Sequence, residues 1–143
     1  MRWQHIEKRN MRVVLDTNIL VSAAICDGSQ AEIIRKAHDG VIKLVISSEI
    51  INELSKVLSR PKFKFSREQI ESYVSHLVEA AEIVEPDIEL NIIKEDPSDD
   101  RILECAVFGD VDYIVSGDSH ILNLKEIKNI PIITRRKFLE VIK

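Results

Sequence analysis

Apolar positions along this 143-residue chain switch repeatedly between short unbroken runs and helical spacing. Arg12-Val-Val-Leu-Asp16 is a β-branched run closed by an aspartate, and Asn18 to Ile25 reads as a helix entered directly from it. A second helix is expected from an N-cap at about Ser29 to Asp39, with Ile33, Ile34 and Ala37 on one side and Gly40 as its stop. Lys43 to Ile46 forms the next strand. Ser47 or Ser48 then caps a helix running to Ser59, with Pro61 just beyond its end. Ser66-Arg-Glu-Gln69 has the form of a capping box and opens a long helix to about Ala81, followed by a short strand over Glu82 to Glu85. Asp99 to Gly109 is a helix that turns Ile102, Leu103, Ala106 and Val107 inward, and it feeds the strand Tyr113 to Ser116. A short helix follows Asp118. Pro131 to Thr134 reads as an edge-tolerant strand with its proline first, and Arg135 to Ile142 as a closing helix.

Strands alternating with helices in this way predict an α/β fold. The expected architecture is a three-layer sandwich with a mainly parallel central sheet and Rossmann-like topology, in which ligands gather beyond the carboxyl ends of the strands. An apolar content of 45% is enough for one real core, and no linker, repeat or biased stretch divides the chain. The domain is expected over 11–143. Residues 1–10 are polar, precede a second methionine, Met11, and read as an extension or an upstream start. They lack the apolar stretch of a signal peptide, and runs such as Leu20 to Ile25 are too short to span a bilayer. Cys26 and Cys105 show no C-x-x-C spacing and read as packed thiols of a reducing compartment. A cytoplasmic protein without membrane contact is therefore expected. The net charge of −4 argues against simple electrostatic binding of nucleic acid, so a nucleic-acid partner would require cations to offset the acidity locally.

Three aspartates map to the predicted binding rim. Asp16 ends the first strand, Asp118 follows the Tyr113–Ser116 strand after one glycine, and Asp99 opens the helix before that strand. Glu53 borders the apolar stripe of Ile50, Leu54 and Val57 and can face the same rim. Each has an ordinary explanation when taken alone: Asp99 and Asp118 sit where N-caps belong, Asp16-Thr-Asn18 suits a strand-to-helix turn, and Glu53 suits a helix flank. Together, without a matching group of Lys or Arg, they would raise one another's pKa unless a cation lay between them. Hard oxygen ligands suit Mg²⁺ or Mn²⁺, and such ions bind phosphate oxygens, which points to metal-assisted phosphoryl chemistry. Zinc suits the site less, because the sequence offers no cluster of His or Cys.

These residues fall into an ordered set of motifs. Val14-Leu-Asp-Thr-Asn18, Ser47 with Glu53-Leu54, Asp96-Pro-Ser-Asp-Asp100 leading to Leu103-Glu-Cys-Ala106, and Asp112-Tyr-Ile-Val-Ser-Gly-Asp118 together resemble the PIN-domain ribonucleases. The resemblance spans about Met11 to Lys143 and is strongest to the stand-alone toxins of toxin–antitoxin pairs. It implies a metal site of Asp16, Glu53, Asp99 and Asp118, with Asn18 and Ser116 as supporting polar neighbours. Asp100 is a close rival of Asp99 for the third acid. The resemblance further implies cleavage of single-stranded RNA by attack of water on the phosphodiester, a homodimer, and a cognate antitoxin protein that covers the site.

Arg60, Lys62, Lys64 and Arg67, interleaved with Phe63 and Phe65, are candidate RNA-binding residues, although charges on a loop also serve simply to solvate it. His5, His38, His76 and His120 are scattered along the chain, and none is assigned as a ligand or base; His120 is the nearest to an acid of the set. Phosphatases of the haloacid dehalogenase type need a second Asp two positions after the first, where this chain has Asn18. Receiver domains need paired acids after the first strand and a later strand-end Lys, and neither is found. Two readings stay beside the toxin nuclease: a PIN-like module that binds RNA or protein without catalysis, and an RNA-processing nuclease with the same chemistry.

Overall fold

The computed structural model describes residues 10–26 and 31–143. Most of the expected N-terminal extension, and the expected cap at Ser29, lie outside these residues. Strand β1 (Met11–Leu15) leads into helix α1 (Thr17–Ile25), then helix α2 (Glu32–His38) and strand β2 (Ile42–Ser47). Helix α3 (Ser48–Leu58), helix α4 (Arg67–Glu79) and strand β3 (Ala81–Val84) follow. After an irregular stretch come helix α5 (Pro97–Phe108), strand β4 (Tyr113–Val115) and the one-turn helix α6 (Ser119–Leu122). Strands β5 (Glu126–Ile127) and β6 (Ile130–Ile133) and helix α7 (Arg135–Val141) complete the chain.

The sheet has six strands in the order β3-β2-β1-β4-β6-β5, and every pairing is parallel except β5 with β6. Successive strand residues face opposite sides of a sheet. Val13, Val14 and Leu15 are all at most 2% exposed, so both faces of β1 are covered and the sheet lies between layers of helix. β1 sits between β2 and β4, which places the change in winding direction at the carboxyl end of β1, where parallel sheets open a crevice.

Local signals account for the boundaries. The capping box at Ser66 and Gln69 is formed in both directions, and Ser47 caps α3 through Ile50 N–H. At the end of α2, Gly40 takes φ +80° and its N–H donates to Ala37, while Val41 N–H donates to Lys36, closing the helix in a Schellman motif.

Three expectations are corrected. Helix α5 begins at Pro97, capped by Asp96, because proline at the first helical position is already set to the helical φ; Asp99 therefore lies in the first turn and not at its edge. The strand containing Pro131 is interior, since the two-residue β5 pairs antiparallel along its outer side. Cys105 is a packed thiol, pushed up to about 12 by burial, but Cys26 ends α1 at the surface. Among the described residues no helix is long and apolar enough to cross a membrane.

At the amino end of the sheet, the Arg12 guanidinium holds Glu82 through two bonds of 2.8 and 3.0 Å and also donates to the Gly109 carbonyl. This ties β1, β3 and the end of α5 together. Gly109 is required there for space: a Cβ would lie 2.8 Å from the Cys105 carbonyl oxygen and 2.9 Å from a Val45 methyl. Gly109→Ala is expected to cost about 1–3 kcal/mol by overpacking, read as a lower denaturation midpoint with an unchanged slope.

Candidate metal centre

Asp16 is fixed before its side chain is considered. Its backbone N–H donates to Val115 O at 3.0 Å, extending the β1–β4 ladder by one residue, and its carbonyl accepts from Leu20 to start α1. The side chain is 3% exposed. Oδ1 caps α1 by accepting from Ile19 N–H at 2.9 Å, while Oδ2 accepts from the Ser116 hydroxyl and from Gly117 N–H. Burial raises the Asp16 pKa, these hydrogen bonds pull it back, and Asp118 adds to the rise.

Ser116 is fully buried and pinned by its own N–H donating to Ile133 O at 3.0 Å. Its hydroxyl donates to Asp16 and accepts from Asp118 N–H at 3.0 Å, so one oxygen sets the spacing of both acids. Asp118 caps α6 with Oδ1, which accepts from His120 N–H and Ile121 N–H. The cap and the functional reading of Asp118 coexist, because only one carboxylate oxygen is used.

Asp99 stands opposite, in the first turn of α5. Its Oδ2 is buried without a hydrogen-bond partner among the described residues. Its carboxyl is pushed up to about 7, first by burial and then by Asp118, Asp96 and Asp16. A buried carboxylate oxygen left unsatisfied among like charges fits a site that binds a cation.

The structure separates Asp99 from Asp100. Asp99 lines the cleft. Asp100, 2% exposed, instead accepts from the backbone N–H groups of Ile92 and Ile93, each at 3.0 Å. Glu104, one turn further along α5, likewise accepts from Leu90 N–H and pairs with Arg101. Asp100 thus moors the segment leading into α5 and does not line the cleft.

Asp16, Asn18, Glu53, Asp99 and Asp118 line one cleft of about 230 Å³, together with Asp96 and Arg60. A neighbouring concavity between α3 and the start of α5 shares Thr17, Glu53 and Ser98 with it and includes Arg101. Of the proposed RNA-binding cations, only Arg60 reaches this cleft. Arg67 lines a separate groove between α3 and α4, and the Lys62 ammonium sits 5.0 Å from the Phe63 ring centre. Lys64 is exposed in a left-handed turn, φ 58°. Thr17, Ser98 and Arg101 were not singled out from sequence, although Thr17 and Ser98 each adjoin a cleft aspartate. His38 and His76 stack on each other at 3.8 Å, while His120 stands beside Asp118.

The raised Asp99 pKa has a consequence for stability. Its folded value lies above that of a free Asp, so its contribution is fully present below about pH 4 and is lost as pH rises through about 7. In EDTA the protein should melt at a lower temperature at pH 7.5 than at pH 5.5, and Asp99→Asn should flatten that difference. An unchanged slope in Asp99→Asn would assign the effect to other groups.

No curated protein matches the chain by sequence. A chain of the crystal structure of VapBC2 from Rickettsia felis, bound to a DNA fragment from their promoter, has the same fold, with a TM-score of 0.62 and 22% identity over 87% of this chain and 98% of that one. The PIN domain family matches residues 12–120, a span that contains the cleft acids and the strands that carry them, and the chain belongs to that family.

Proposed function

We propose that this protein is a Mg²⁺- or Mn²⁺-dependent endoribonuclease that cleaves single-stranded RNA, acting as the toxin of a toxin–antitoxin pair. The observation that carries the reading is the buried Oδ2 of Asp99, without a hydrogen-bond partner among the described residues, in a cleft that Asp16 and Asp118 also line at the carboxyl end of the sheet. Family membership supports nuclease chemistry, and the fold shared with VapBC2 supports an antitoxin partner.

Asp16, Glu53, Asp99 and Asp118 would hold the cation. When bound, it supplies an activated water and neutralises charge that develops on the phosphodiester. The chain's own groups orient the reactants. Ser116 and the α1 amide fix the Asp16 carboxylate, and the α6 amides fix one oxygen of Asp118, leaving the other directed by the same cap. Asn18 lies at the cleft wall, where its amide can hold water or a phosphate oxygen. Arg60 at the same wall supplies a fixed positive charge for the RNA backbone. No side-chain nucleophile is needed, since water forms the new P–O bond as the bond to the leaving oxygen breaks.

Two outcomes test this directly. Purified protein should cut a mixed single-stranded RNA pool with Mg²⁺ or Mn²⁺ and lose cleavage in EDTA, while Asp16→Asn lowers the rate on the order of a hundredfold or more. Binding without cleavage in any lane would favour a non-catalytic module. Arg60→Ala should raise KM several-fold with kcat little changed, because a backbone contact made equally in ground and transition states affects binding alone. A loss confined to kcat would contradict that placement.

A further inference from the structure

Among the described residues, carboxylate oxygens of Asp99 and Asp118 and a ring nitrogen of His120 lie within 4.8 Å of one another. His120 is the second residue of α6, and the turn that carries it is firmly held. Its N–H donates to Asp118 Oδ1 at 2.8 Å, and the next residue, Ile121, is fully buried. The ring itself is 46% exposed, and its Nδ1 lies 3.7 Å from Asp118 Oδ1, beyond hydrogen-bond range. Among the described residues the ring makes no hydrogen bond; an ion pair with Asp118 would hold a protonated ring there, whereas a shared ion would hold the ring against both acids at once.

We propose that His120 is a ligand of the metal centre, the one nitrogen donor among carboxylates, and that it biases the site toward a first-row transition-metal dication over Mg²⁺. Mg²⁺ strongly prefers oxygen and retains its water, while imidazole is a good ligand for the transition metals. The assignment rests on the metal-dependent reading given above. It adds a donor outside the carboxylate set and a metal preference stronger than carboxylates alone would impose.

Mn²⁺ is the probe, because its bound nitrogen ligands are visible by pulsed electron paramagnetic resonance. The Mn²⁺-loaded protein should show coupling to a directly bound ¹⁴N that disappears in His120→Ala, with His5, His38 and His76 left in place. Titrations should show Mn²⁺ binding more tightly than Mg²⁺, with His120→Ala weakening Mn²⁺ by about tenfold or more and barely changing Mg²⁺. His120→Asp, which gives an all-oxygen set, should narrow the preference while keeping both ions bound. Mn²⁺ binding that depends on Asp99 but shows no nitrogen coupling, or equal weakening of both ions in His120→Ala, would overturn the His120 assignment alone. Binding of neither ion, or Mn²⁺ binding untouched by Asp99→Asn, would overturn the metal-dependent reading and the His120 assignment with it.

Discussion

Carboxylates that share a partly dry cleft repel one another, and burial removes the water that would screen them. Asp16, Asp99 and Asp118 are held in that condition by structure that does not yield easily. Asp16 and Ser116 are fixed by the last backbone bonds of adjoining strands, and Asp118 by the first turn of α6. Two of the acids relieve part of their charge by capping helices. Asp99 finds no such relief at Oδ2 among the described residues, and burial with the neighbouring acids raises its pKa. A divalent cation is the simplest species that removes it.

The fold supplies this geometry through its winding. β2 and β3 lie on one side of β1, and β4, β6 and β5 on the other, so the segments leaving β1 and β4 diverge and open a crevice at their carboxyl ends. Asp16 and the Ser116–Asp118 turn occupy its two lips. The floor is formed by strands buried on both faces, which keeps the acids from moving apart. α5 brings Asp99 in from the side, and its own position depends on Asp100 and Glu104 mooring the backbone over 90–93. Adjacent acids thus divide between the cleft and the support behind it, because successive helix residues point about 100° apart.

Much of this was legible in the sequence. Asp16 and Asp118 close β-branched runs, which marks strand ends, and the Ser66 capping box fixed the start of α4 to the residue. The different surroundings of Asp99 and Asp100 have no local signature, since Asp100 accepts from the N–H groups of Ile92 and Ile93 in a segment outside the helix. The same applies to Arg101, whose place in the concavity beside the cleft depends on how α5 packs beside α3. β5, with two residues, is too short to carry any periodic signal. Pro131 reads as an edge residue only when the strand beyond it is unseen. The run Arg60 to Arg67 reads as a single basic patch in sequence, yet the chain turns within it at Pro61–Phe63 and Lys64, directing Arg60 and Arg67 to different grooves.

If the acid cluster is a cation site, metal must displace the proton that Asp99 holds near neutral pH. Calorimetric titration of Mn²⁺ at pH 7, repeated in buffers of different ionisation enthalpy, measures that displacement directly. Saturable binding with net proton release is expected, the release shrinking in Asp99→Asn. Saturable binding with no proton exchanged, or no binding at all, would contradict it.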